Sequence, residues 1–212
     1  MHISEGILSA PVLATGAALS LGGLFFGFGA IKDEDTPKVA ILSAVFFVAS
    51  LFHVNIGPSS THLVLSGLMG LMLGWAAFPV IFFGLLLQGI LFGFGGLTTL
   101  GVNTFTMASP AVLCGVLFRG AVTGPNPAKA AAAGFVCGFF PVAISACLVG
   151  LALWLSGEGD AYSKMAWLVI AGNFPVMIME GFVCAFCVGF FRKVRPGLLV
   201  RAPAKAAEKG AA

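Results

Sequence analysis

The sequence predicts an all-α integral membrane protein of about seven transmembrane helices, with its N-terminus outside and its C-terminus cytoplasmic. Three observations carry that expectation. Hydrophobic residues make up 59% of the 212 residues and charged residues only 9%, against roughly 25% charged in soluble domains. No Asp, Glu, Lys or Arg occurs from Val39 through Phe118, and a bilayer admits such a stretch only as helices that satisfy their own backbone hydrogen bonds. The apolar runs are also too long and too uniform for the alternating strands of about ten residues that build a β-barrel. At about 20 residues per crossing there is no room for a separate soluble domain. The expected organisation is a single transmembrane domain over 1–193 and a basic cytoplasmic tail over 194–212 without fixed structure.

Reading apolar runs against their breakers places helices over 7–31, 38–54, 60–75, 78–96, 104–119, 127–157 and 164–192. Each break has a local cause. Lys32 to Lys38 is charged and contains Pro37, Asn55 to Ser60 contains Gly57-Pro58, and Thr123 to Lys129 contains Gly124-Pro125-Asn126-Pro127. Between the third and fourth runs only Trp75 to Phe78 is left for a turn. The start, Met1 to Glu5, has neither a basic region nor a small-residue cleavage site ahead of a short apolar core, so the first segment is expected to remain in the protein.

Cytoplasmic loops carry the excess of Lys and Arg. With the N-terminus outside, the inner side collects Lys32, Lys38, Arg119, Lys129, Arg192, Lys193, Arg195, Arg201, Lys205 and Lys209, and only Lys164 falls outside. The net charge of +3 therefore reports topology rather than a nucleic-acid surface, since six of the eleven cations follow residue 191. Arg119 and Arg192 read as anchors at inner helix ends. The five cysteines, Cys114, Cys137, Cys147, Cys184 and Cys187, lie in apolar segments, where a thiol packs as a small hydrophobe.

This topology gathers His2, His53 and His62 on the outer face, His53 at the end of the second helix and His62 at the start of the third. Glu5, Asn55, Ser59, Ser60, Thr61, Thr98, Thr99 and Asn103 join them, a polar region suited to a small polar solute. Small residues at Ala10, Ala14, Ala18 and Gly22 allow close helix approach, either inside the bundle or against another membrane subunit.

The start Met1-His2-Ile3-Ser4-Glu5-Gly6 has its own chemistry. An α-amino nitrogen, the deprotonated amide nitrogen of residue 2 and the Nδ1 of a histidine at residue 2 close fused five- and six-membered chelate rings, filling three of four planar positions. A further imidazole, from His62 or His53, completes a nitrogen set that suits Ni(II), Cu(II) and low-spin Co(II) better than tetrahedral Zn(II). Histidine at position 2 also blocks removal of the initiator methionine.

Two further segments, Gly57-Pro58-Ser59-Ser60-Thr61-His62-Leu63 and Gly95-Gly96-Leu97-Thr98-Thr99-Leu100-Gly101-Val102-Asn103, complete a pattern with the Met-His-Ile-x-Glu-Gly start. Over roughly residues 1–190 the sequence resembles the CbiM/NikM family, the metal-binding substrate (S) components of cobalt and nickel energy-coupling factor transporters. The resemblance implies a seven-helix fold in which the Met1 amine, the His2 amide and imidazole, and His62 hold the metal. Glu5, His53, Ser60 and Asn103 are candidates for supporting those ligands. Phe94 stands where the family commonly has a polar residue before the Gly-Gly pair.

The implied function is capture of Co(II) or Ni(II) outside and ATP-driven delivery inward, the metal being substrate and no catalytic cofactor being needed. A link to cobalamin synthesis gives a slight lean to cobalt. The implied partners are a transmembrane coupling subunit, two cytoplasmic ATPases and a small accessory membrane subunit, in a bacterial or archaeal cell membrane, with no nucleic acid. The chain has no phosphate-binding Gly-x-x-x-x-Gly-Lys-Ser/Thr loop of its own. The rival readings are a metal channel and a membrane-embedded hydrolase, the latter pairing Ser59 or Ser66 with a histidine such as His62, one helical turn from Ser66 if both share a helix. The sequence lacks His-Glu-x-x-His, and an enzyme is not expected. Glu180, mid-way along the last helix, should face the bundle and hydrogen-bond a neighbouring helix.

Overall fold

The computed structural model describes residues 3–51, 53–56, 59–157 and 160–199, with 53–56, 59–62, 160 and 161 described by their main chain. Among these residues the chain is helical apart from one strand pair. The helices are α1 (Ala10–Gly29), α2 (Thr36–Ala49), α3 (Ser66–Leu73), α4 (Ala77–Phe92), α5 (Leu100–Thr123), α6 (Pro127–Ser156), α7 (Asp160–Gly172) and α8 (Phe174–Val194). By length and composition, the stretches 10–29, 66–92, 100–123, 127–156 and 162–194 are long and apolar enough to cross a membrane.

The second and third expected helices are corrected by the structure. Residues 53–54 do not extend α2 and residues 60–62 do not begin α3. They belong to the antiparallel strands β1 (His53–Ile56) and β2 (Ser59–His62). The local chemistry explains this. Gly57-Pro58 interrupts the helical hydrogen-bond ladder, and Val54, Ile56 and Thr61 are β-branched residues that favour a strand. His62 and Ser66 therefore do not share a helix, which removes the one-turn spacing on which the hydrolase reading relied.

Other helices keep their places with altered ends. Asn126 starts α6 where the Gly-Pro-Asn-Pro run predicts a boundary, its Oδ1 accepting the N–H groups of Ala128 (2.9 Å) and Lys129 (3.2 Å). The last expected run splits into α7 and α8 at Asn173, because Pro175 has no N–H to continue the ladder. Between α3 and α4, Gly74 takes φ +57° and ψ −127°, a backbone state that favours glycine, and the apolar run turns there despite its uniform hydropathy.

Without a hydrophobic drive between helices in lipid, close packing has to hold the bundle. Glycines supply it where backbones touch. A Cβ on Gly70 would lie 1.8 Å from the Ala111 carbonyl oxygen, and one on Gly67 1.9 Å from that of Cys137, so α3 lies directly against α5 and α6. In α1, Gly16, Gly23 and Gly27 press against Val102, Phe78 and Trp75. The predicted stripe Ala10, Ala14, Ala18 and Gly22 is exposed, so the close approach of α1 to the bundle falls to Gly16, Gly23 and Gly27. Of the five cysteines, all free, Cys114, Cys137 and Cys184 are buried.

Three cations gather at one end of the bundle and bind carbonyls at helix C-terminal ends. The Lys38 Nζ donates to Met72 O (2.8 Å), the Arg119 Nη2 to Leu71 O (3.3 Å), and the Arg192 Nη1 to Val122 O (2.5 Å) and Gly124 O (2.7 Å). Positive charge belongs at that pole of a helix. Lys38 also donates to Leu198 O (3.3 Å), and Leu199 is buried, so ordered packing continues past the expected boundary at residue 193.

Candidate metal-binding end

The opposite end of α5 meets the N-terminal segment. Thr99 immediately precedes α5 and Asn103 lies in its first turn, both buried. The Asn103 Oδ1 accepts the Ile3 N–H (3.1 Å) while its Nδ2 donates to Ile3 O (3.2 Å), so one side-chain amide satisfies both polar groups of a single main-chain residue. The Thr99 hydroxyl adds a contact to the same Ile3 oxygen (2.9 Å) and receives the Asn103 Nδ2 (3.3 Å). The Ile3 side chain enters an apolar cluster with Leu8, Val102, Val149, Ala152 and Leu153. Main chain and side chain together fix this residue.

Two residues further on, the Glu5 Oε1 accepts the Thr98 N–H at 3.1 Å. Its stem crosses Gly96 so closely that a Cβ there would lie 1.9 Å from the Glu5 Cγ. Gly93 and Gly95 have φ of +68° and +80°, the left-handed region that suits glycine. The glycine-rich loop and the N-terminal segment thus interlock, and Gly96 is required by the contact itself.

The strand pair supplies the histidines. Its register sets His53 opposite His62, Val54 opposite Thr61, Asn55 opposite Ser60 and Ile56 opposite Ser59. Residues directly opposed in an antiparallel ladder are nearest neighbours across it. Beyond β2, Val64 and Leu65 donate their N–H groups to the Glu180 Oε1 of α8, the latter at 2.7 Å. Glu180, 1% exposed, has the interhelical hydrogen-bonding role expected of it.

Of the sequence-predicted site, Asn103 and Glu5 are brought together with the N-terminal segment and the glycine-rich loop. His53, Ser60 and His62 are placed by their main chain in the strand pair. Met1 and His2 lie outside the described residues. Among the described residues no three His, Cys, Asp or Glu side chains cluster as a metal site. Sequence reasoning missed Thr99 as a partner of Ile3 and Gly96 as the crossing point of Glu5. The spacing of Thr99 and Asn103, four apart across the start of α5, was the available signal.

The apolar helices define a polytopic membrane protein. A solved transition metal transporter has the same architecture, with a TM-score of 0.71, 25% identity, and coverage of 92% of this chain and 93% of that one. The profile of the cobalt uptake substrate-specific transmembrane region, CbiM, matches residues 2–198, and the chain belongs to this family. A Haemophilus influenzae protein named for metal transport is 38% identical over 95% of this chain and 98% of its own length. The cobalt transport protein CbiM of Sorangium cellulosum is 28% identical over 95% of each chain. The family is a metal-transport membrane component and not an enzyme.

Proposed function

We propose that this chain is the substrate-specificity subunit of an ATP-driven importer of Co(II) or Ni(II). The metal is held by the Met1 amine, the His2 amide nitrogen and imidazole, and the His62 imidazole. The observation that carries this reading is the grip of Asn103 and Thr99 on Ile3. A residue fixed at both its N–H and its carbonyl gives the two residues before it a defined starting point and direction. A planar chelate of fused rings needs that preorganisation. In this reading Glu5 holds the glycine-rich loop over the site, and His53 and Ser60 support the ligands from the strand pair.

The same reading takes the chain across the membrane seven times, as α1, α2, the strand pair with α3, α4, α5, α6, and α7 with α8. Its N-terminus is outside, and the cation-rich end carrying Lys38, Arg119 and Arg192 faces the cytoplasm of a bacterial or archaeal cell. The single domain expected over 1–193 keeps its packing as far as Leu199, and the rest of the basic segment 194–212 is the cytoplasmic tail. ATP is hydrolysed by two cytoplasmic partners coupled through a transmembrane subunit, with a small accessory membrane subunit. The exposed stripe Ala10, Ala14, Ala18 and Gly22 is the docking face for the coupling subunit, because small residues let a partner helix approach closely. Elemental analysis and X-ray absorption of purified, Co(II)- or Ni(II)-loaded protein test the proposal. One metal per chain in a planar, all-nitrogen shell is the expected result, and a tetrahedral or oxygen-rich shell refutes it.

A further inference from the structure

We infer that Glu180 is the positioning residue for His62, so that α8 sets the geometry of the metal site from within the bundle. The inference rests on the reading of His62 as a ligand. Leu65 and Val64 give both their N–H groups to one carboxylate oxygen that belongs to a helix 115 residues away in sequence. Only Leu63 separates that fixed point from His62. At roughly 3.5 Å of chain per residue, the His62 Cα lies within about 7 Å of the Val64 Cα.

The post itself is rigid. A Cβ on Gly138 would lie 2.3 Å from the Glu180 carbonyl oxygen, and α3 touches α6 at Gly67 and Cys137, so three helices meet at this level. Leu65, the single non-glycine residue with positive φ among those described (+54°), has no side-chain cap to offer α3. Glu180 instead fixes the Val64 and Leu65 N–H groups just before the helix begins. These bonds keep the chain in a turn that leucine alone disfavours. On its other side β2 is paired with β1, so His62 is held between two anchors.

Five purified proteins test this by Ni(II) and Co(II) titration read through ligand-field absorption bands: wild type, Glu180→Asp, Glu180→Met, Glu180→Gln and His62→Ala. Glu180→Asp keeps the carboxyl group and shortens the arm by one methylene; it decides the matter if Glu180→Met does not fold. Glu180→Asp and Glu180→Met should bind about 10- to 100-fold more weakly, as supporting groups of metal ligands do when altered, with bands displaced toward those of His62→Ala. Glu180→Gln retains an acceptor oxygen and should restore the wild-type bands. A purely structural Glu180 lowers thermal stability but leaves affinity and bands at wild type, and that result overturns the inference while His62→Ala remains weak. Wild-type binding by His62→Ala overturns the ligand reading, and this inference with it.

Discussion

Asn103 pairs with Ile3 as a β-strand neighbour would, accepting its N–H and donating to its carbonyl from one side-chain amide 100 residues away. A carboxamide offers both functions from one group, whereas a carboxylate cannot donate and an aliphatic group does neither. Asn103→Ala leaves the Ile3 N–H without this partner, at about 1–3 kcal/mol, while the Ile3 carbonyl keeps the Thr99 hydroxyl. It should weaken Co(II) or Ni(II) binding by about 10- to 100-fold. Calorimetric titration checks this, and an unchanged affinity would detach Ile3 from the site.

His62→Ala should abolish high-affinity metal binding, and His53→Ala should reduce it less. The two stand opposite each other in the ladder, so the comparison separates a ligand from its neighbour at nearly constant geometry. Titration of both variants decides it. A null His53→Ala beside a near-normal His62→Ala reverses the assignment.

One residue added before Met1 should cost far more affinity than a tag after Ala212. The extension converts the proposed amine ligand into a peptide nitrogen, whereas α1 and its packing at Gly16, Gly23 and Gly27 stay unchanged. Metal binding by the two forms at matched, monodisperse concentrations is the measurement. Equal affinities would return the Met1-His2 start to coincidence.

Gly70→Ala should prevent correct packing of α3. Its Cβ would meet the Ala111 carbonyl at 1.8 Å, and Gly115 approaches Gly70 equally closely from the other side of the contact. Backbone cannot yield as a flexible side chain does, so the cost exceeds the roughly 1–3 kcal/mol usual for overpacking. Loss of the monodisperse peak in size-exclusion chromatography is expected. Gly22→Ala, with open space around its Cβ, is the control that should remain folded.

Gln88→Met should raise thermal stability in detergent. Gln88 is fully buried on α4, and neither its Nε2 nor its Oε1 has a hydrogen-bond partner among the described residues. Replacing an orphaned amide by a side chain of similar volume removes a penalty of about 1–3 kcal/mol per polar group. A lower melting temperature would show that the amide has a partner in the working protein.

Much of this architecture is legible in composition because lipid imposes a single strong rule on the backbone. The breaks at Lys32 to Lys38 and at Gly124-Pro125-Asn126-Pro127 follow directly from charge and proline. The strand pair did not emerge because an apolar run with a central Gly-Pro reads equally as two helix ends. Its pairing depends on the register between residues 53–56 and 59–62, which hydropathy does not encode. Asn103 and Glu5 were visible as polar residues near the N-terminal motif. Their contacts with Ile3 and Thr98 were not, since each spans more than 90 residues and is set by how α1 and α5 lie together. The direction of the stripe on α1 stayed open for the same reason, as small residues mark close approach without saying to which neighbour.

The bonds from Val64 and Leu65 to Glu180 also set an order of events during synthesis. At about 5–20 residues per second, the ribosome needs roughly 6–20 s after Val64 to deliver Glu180. Through that interval the N–H groups of Val64 and Leu65 lack their acceptor. A chain stalled after α6 would contain the N-terminal motif, both histidine-bearing strands and the Asn103 grip. It would still lack the carboxyl group that α8 supplies, so the anchor beside β2 forms only once α8 has been made.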